Sequence, residues 1–122
     1  MYKQIFECRA GDASEKNLVI YCLGKLGRDW MLTISGGESH IGALACSDKA
    51  DETFFFHTLS QHLETDLVNE AFRALSGLVS GELLVVGGIH YDAITKLQIK
   101  RIIEYNATLI EQTKQFLLTY PS

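Results

Sequence analysis

Three of the four histidines in this chain stand where it changes direction. His40 lies in SGGESHIGALA (residues 35–45), shortly after Gly36 and Gly37. His90 follows Gly87 and Gly88 in VVGGIHYD (residues 85–92), with Asp92 two positions on, and His62 opens a helical pattern. Imidazole is the most common metal ligand at neutral pH, and two or three of them at element ends suit a divalent ion such as Zn²⁺ or Mn²⁺. The spacing contains neither HExxH nor CxxC, so convergence of His40, His62 and His90 depends on topology alone. Taken singly, each also fits an ordinary partly exposed histidine bound to a carbonyl. His57, inside TFFFH, reads as a structural strand residue.

The paired glycines carry a second kind of chemistry. Without Cβ atoms, Gly36, Gly37, Gly87 and Gly88 let backbone N–H groups approach a ligand, and helix starts near His62 and Thr95 offer N–H groups to an anion such as phosphate. Paired glycines equally make plain turns or bulges, and no P-loop or GxGxxG is present. Few Lys or Arg lie nearby, so a bound phosphate calls for a metal as balancing charge. Ser35 and Ser39 flank His40, but no GxSxG elbow accompanies them, and binding is better supported than turnover.

The elements that must place these residues follow from periodicity. KQIFECRA (3–10), NLVIYCLG (17–24), WMLTIS (30–35) and HIGALACS (40–47) are β-branched or alternating runs separated by polar turns, which predicts a four-strand antiparallel meander; TFFFHTL (53–59) adds a fifth strand. Apolar residues at 63, 67, 71, 74, 75 and 78 then take helical spacing over about 61–78, with Glu64 and Asp66 suited to the helix's positive end. ELLVVGG (82–88) is apolar enough for a strand covered on both faces. A last helix starts at Thr95, capped with Gln98, and carries a stripe of Ile99, Ile102, Ile103, Leu109, Ile110, Phe116 and Leu117. Asn106 interrupts that stripe, either as a buried amide tying down its surroundings or as a polar contact at a site. The order ββββ(β)αβα predicts an α+β two-layer sandwich: a mixed, mostly antiparallel sheet with two helices on one face and the other face left for a partner.

Composition sets the outer limits. At 122 residues with 47% hydrophobic and 21% charged content, residues 1–122 fit one domain with a single core. A formal charge of −4 argues against nucleic-acid binding, which draws its affinity from Lys and Arg on phosphates. The segment MYKQIFECRAGD has no apolar signal core, and no stretch approaches the roughly 18 apolar residues of a membrane span. Cys8, Cys22 and Cys46 form no pair and lie in strand-like runs, as buried thiols of a reducing compartment do. The expected location is the cytoplasm.

Three separated stretches, GGESHIGALA, SQHLETDLVNEAF and LLVVGGIHYDAITKLQIKRIIEYNATLI, occur in an order that resembles the prenylated-flavin chaperones of the LpdD-like family, which accompany UbiD-type decarboxylases, gallate decarboxylase among them. The resemblance extends over about residues 28–118. It implies a non-catalytic homo-oligomer that binds reduced prenylated FMN, with help from a divalent metal (Mn or Zn), and delivers it to a UbiD-type decarboxylase apoprotein. Carried over by position, it implies Gly36, Gly37, His40, Gly88, His90, Asp92 and Asn106 as cofactor-binding residues and His40, His62 and His90 as metal ligands. Ser60-Gln61 replaces the family's Pro-Gly ahead of His62. Two alternatives stand beside it: a small metal-dependent enzyme using Asp92 or Glu38 as general base, and a flavin-independent assembly partner working through the open sheet face.

Overall fold

The computed structural model describes residues 1–59 and 62–121, with the side chain of His62 outside the described residues. In chain order the elements are β1 (Tyr2–Ala10), β2 (Val19–Leu26), β3 (Asp29–Gly37), β4 (Ala43–Asp48), β5 (Thr53–Thr58), α1 (His62–Leu75), β6 (Leu83–His90) and α2 (Lys96–Thr119). They form the expected α+β two-layer sandwich. Its 6-stranded mixed sheet has the order β1-β2-β3-β6-β4-β5, and both helices pack on one face. Among the described residues no helix is long and apolar enough to cross a membrane.

The expected four-strand meander does not form. β3 and β4 are separated by β6, which runs parallel to β3 and antiparallel to β4. The physical reason lies in the apolar character of β6. Leu83, Val85, Gly87 and Ile89 are all buried, and the strand with most apolar surface to bury takes the interior position. Contrary to expectation, though, it is covered on one face only: Leu84 and Val86 stay half-buried on the other. The start of β6 is pinned by polar contacts. The Glu82 carboxylate accepts from Ser47 Oγ at 2.6 Å and from the Lys49 N–H. Glu82 N–H donates to Asp29 Oδ1 at 2.9 Å, and Trp30 N–H donates to the Glu82 carbonyl at 2.8 Å. Lys49 Nζ reaches to the carbonyls of Ser76 and Val79, just past the end of α1.

The core-facing register runs across the strands as Tyr21, Ile34 and Gly87, and beside them Leu23, Leu32 and Val85. α1 covers this layer with Leu67, Val68, Ala71, Phe72 and Leu75; Ala74, expected on the stripe, is exposed, because the buried face follows the 67/68/71/72/75 rows. α2 contributes Ile102, Asn106, Leu109, Ile110, Thr113 and Leu117, while Ile103 is 45% exposed. Its capping box forms as read: Thr95 Oγ1 accepts from Gln98 N–H, and Gln98 Oε1 accepts from Thr95 N–H. All three cysteines are free and half-buried rather than fully buried; burial is the main cause that raises each thiol's pKa.

Asn106 sits at 0% exposure in the middle of this packing. It accepts from the Tyr21 hydroxyl and donates to the Leu67 carbonyl, so one amide ties α2 to both β2 and α1. Asn106→Ala leaves a buried hydroxyl unpaired and should cost about 1–3 kcal/mol, read as a lower urea midpoint with an unchanged m-value; the Tyr21→Phe/Asn106→Leu double variant should recover part of it. Burial also holds the Tyr21 pKa well above its ordinary value of 10. The unfolded chain therefore releases that proton first, and this contribution to stability is complete below pH 10 and lost as pH rises further. Stability measured between pH 9 and 11 should fall, less steeply in Tyr21→Phe.

Candidate functional site

With β6 between β3 and β4, the connection through residues 38–42 has to step over the C-terminal end of β6. Gly37, in the left-handed region at φ 60°, starts the step. Glu38 N–H donates to the His90 carbonyl at 2.9 Å and Gly42 N–H to the Gly87 carbonyl at 2.8 Å. Between these anchors the His40 carbonyl lies where a Cβ on Gly88 would be, 2.2 Å away. Only glycine at 88 allows the loop to press this closely. His40 is therefore a loop residue, not the first residue of a strand, as the sequence suggested; β4 begins at Ala43.

The crossing brings two of the expected histidines together. The rings of His40 and His90 are 6.4 Å apart, edge to face. Each faces a carboxylate: His40 Nε2 lies 3.3 Å from Glu64 Oε1 and His90 Nε2 3.0 Å from Asp92 Oδ1. Asp92 is anchored through its carbonyl, which accepts from Lys16 Nζ at 2.7 Å, and Tyr91 reaches back to donate to the Leu18 carbonyl at 2.8 Å. Burial raises the Tyr91 pKa, so this hydroxyl keeps its proton. Beside the histidines a cleft of about 300 Å³ has Ile89, Tyr91, Ile94 and Ile99 for walls and Glu64 and His90 at its polar edge.

Glu64 is the residue that reading the sequence as chemistry missed. Its side chain is 4% exposed, and its Oε2 is buried with no hydrogen-bond partner among the described residues. A signal was present: positions 64, 67, 68, 71, 72 and 75 form one helical row, and a carboxylate there breaks the apolar stripe as Asn106 breaks the other one.

The remaining expected site residues have other surroundings. The close approaches at Gly36, Gly37 and Gly88 are made by the chain itself, to Leu18, to His90 with Tyr91, and to His40 respectively. Asn106 spends its amide within the core. His57 is exposed on β5. The His62 side chain, third of the expected metal ligands, lies outside the described residues.

Among the described residues, these donors do not make a metal site. Two imidazoles and two carboxylates are the right ligand types, but each ring nitrogen nearest the cluster already faces a carboxylate. No group of three or more His, Cys, Asp or Glu side chains is placed to hold an ion among the described residues. A flat, mostly apolar ring system fits better: the cleft is apolar with one polar edge, as small-molecule sites usually are, and Glu64, one of whose oxygens is buried without a partner among the described residues, lines it.

No curated protein matches the chain in sequence. In fold it is similar to a chain from the crystal structure of a novel chaperone complex for yeast 20S proteasome assembly, with a TM-score of 0.54 at 8% identity over 97% of this chain and 96% of that one; at that identity the likeness is one of fold alone. The motifs gathered at this end of the sheet have a closer counterpart, because residues 14–118 match the model of the prenylated flavin chaperone LpdD-like domain. The chain belongs to that family.

Proposed function

We propose that this protein is a cytoplasmic, non-catalytic carrier that binds reduced prenylated FMN at the His40–His90 end of its sheet and delivers it to a UbiD-type decarboxylase apoprotein. The observation that carries the proposal is the half-exposed His90 imidazole at the polar edge of an apolar cleft, with the His40 ring 6.4 Å from it, in a chain of the prenylated flavin chaperone family. When bound, the flavin supplies the redox and decarboxylation chemistry of its client. The carrier's own residues bind and shield. Ile89, Ile94 and Ile99 exclude water from the ring, while His40 and His90 hydrogen-bond to its polar edge.

The test is an anaerobic titration with reduced prenylated FMN, with and without Mn²⁺. Wild type should bind, and His40→Ala and His90→Ala should each bind at least about tenfold more weakly, a loss of about 1.4 kcal/mol or more. Absence of binding under both conditions would end this reading. A tenfold gain with Mn²⁺ would bring His62 in as the third ligand beside His40 and His90; turnover of simple phosphate esters with the metal would favour the enzyme alternative.

A second observation supports homo-oligomerisation. The sheet face away from the helices presents Met31, Leu84 and Cys46 side by side, with Val86 and Leu44 beside them and Ile20 beyond Ser35, all six apolar residues half-buried with no described element over them. An apolar patch of this kind marks an interaction site. Val86→Glu, at its centre, should convert an oligomer to a monomer in sedimentation while the far-UV spectrum stays the same. An unaltered sedimentation coefficient would leave the face to the client, and a stable client complex formed without flavin would support the assembly-partner alternative.

A further inference from the structure

Among the described residues four polar or charged side chains are buried: Ser47, Glu64, Asn106 and Thr113. Ser47 is bonded to Glu82 and to Leu83 N–H, Asn106 to Tyr21 and Leu67, and Thr113 to the Leu109 carbonyl at 2.7 Å. Glu64 alone is left incomplete. Oε1 has His40, and Oε2 has neither water access nor a partner. A buried carboxylate oxygen without a donor is costly in a folded protein, and one that persists in a cleft wall calls for an explanation outside the free protein.

Resting on the carrier reading above, we infer that Glu64 recognises a ring N–H of the bound ligand, the imide N3–H of the reduced flavin, which prenylation leaves in place. The cleft decides which part of the ligand enters. Its apolar walls suit a flat ring and not a polyol chain, and its volume suits a ring system, not a whole nucleotide. Charge decides the orientation. Glu64 and Asp92 both stand at the histidine end, so a phosphate placed there would face two carboxylates. The ring therefore enters imide edge first, and the phosphate stays outside, away from the histidine end. A terminal carboxylate torsion is soft, so Glu64 can turn one oxygen to the imide while the other keeps His40. This reverses the sequence-based expectation of a phosphate held beside the histidines.

The experiment compares wild type with Glu64→Gln, which keeps the shape and replaces one acceptor oxygen by an NH₂ donor. Both are titrated anaerobically with reduced prenylated FMN, and reduced FMN and its N3-methyl analogue are added as competitors. Glu64→Gln should bind the prenylated flavin at least about tenfold more weakly while its ligand-free melting temperature stays the same or rises. Wild type should prefer the N3–H competitor over the N3-methyl one by a similar factor, and the variant should not distinguish them. Binding of Glu64→Gln at wild-type strength, or no preference between competitors in wild type, would overturn the assignment. If the variant does not fold, the wild-type preference decides alone; if the unprenylated competitors do not bind, the variant's titration does. Failure of wild type to bind any flavin is a separate result, and it removes the carrier reading itself.

Discussion

The placement of one strand governs the rest of this molecule. β6 enters between β3 and β4, and a chain that would otherwise have turned back in a hairpin must cross the end of the intruding strand. The crossing is tight because residues 38–42 are bonded to β6 at both ends, through the His90 and Gly87 carbonyls. It is possible because Gly37 and Gly88 have no Cβ to meet the His90 and His40 carbonyls, and the Gly88 approach is the one that seats the loop on the strand. A single methyl group there would lift the loop off the strand. The histidines would separate, and the edge-to-face contact between them would go with it. The site is thus a consequence of sheet order, not of any local motif.

The interior shows the same sequence device used twice with opposite outcomes. Each helix carries an apolar row interrupted by a residue with a polar amide or carboxyl group, Asn106 on α2 and Glu64 on α1. Asn106 donates and accepts within the core, and fixes the relative placement of β2, α1 and α2. Glu64 is paired on one oxygen only. A neutral amide in a filled position is a fastener; a half-satisfied carboxylate at a cleft is a fitting for something else. The distinction is physical and depends on partners that only the fold supplies.

That is also why some of the molecule could be read from sequence and some could not. Periodicity and capping are local, so the strands, both helices, the Thr95–Gln98 box and the two-layer class were legible. Strand order is not local. The run GGESHIG reads as a hairpin turn by composition, and nothing within it says that residues 83–90 will occupy the intervening position. The start of β4 was misplaced for the same reason, since His40 leads into an apolar run but its carbonyl is pressed onto Gly88 and the ladder begins only at Ala43. His40 and His90 were recognisable as boundary residues, but their proximity was not. Glu64 was visible as an anomaly in a stripe yet was read as a helix-dipole partner, a role that its position in the first turn also permits. The glycines were read as room for a ligand, whereas their space is filled by the chain's own carbonyls.

The carrier role proposed above requires release of what is bound, and the geometry of this end of the sheet is suited to that. His90 is half-exposed at the cleft's edge, and Asp92 is almost fully exposed at 92%. Before any ligand arrives, each imidazole already has a carboxylate in place, so part of what the ligand gains by contacting the rings is offset by what those internal pairs give up. Binding strength is held down without loss of orientation. A client that encloses the same flavin more completely needs only a few kcal/mol of advantage to draw it across, because each 1.4 kcal/mol is about a tenfold shift in occupancy. An open, pre-paired, half-satisfied site is a poor place to retain a cofactor and a good place from which to pass one on.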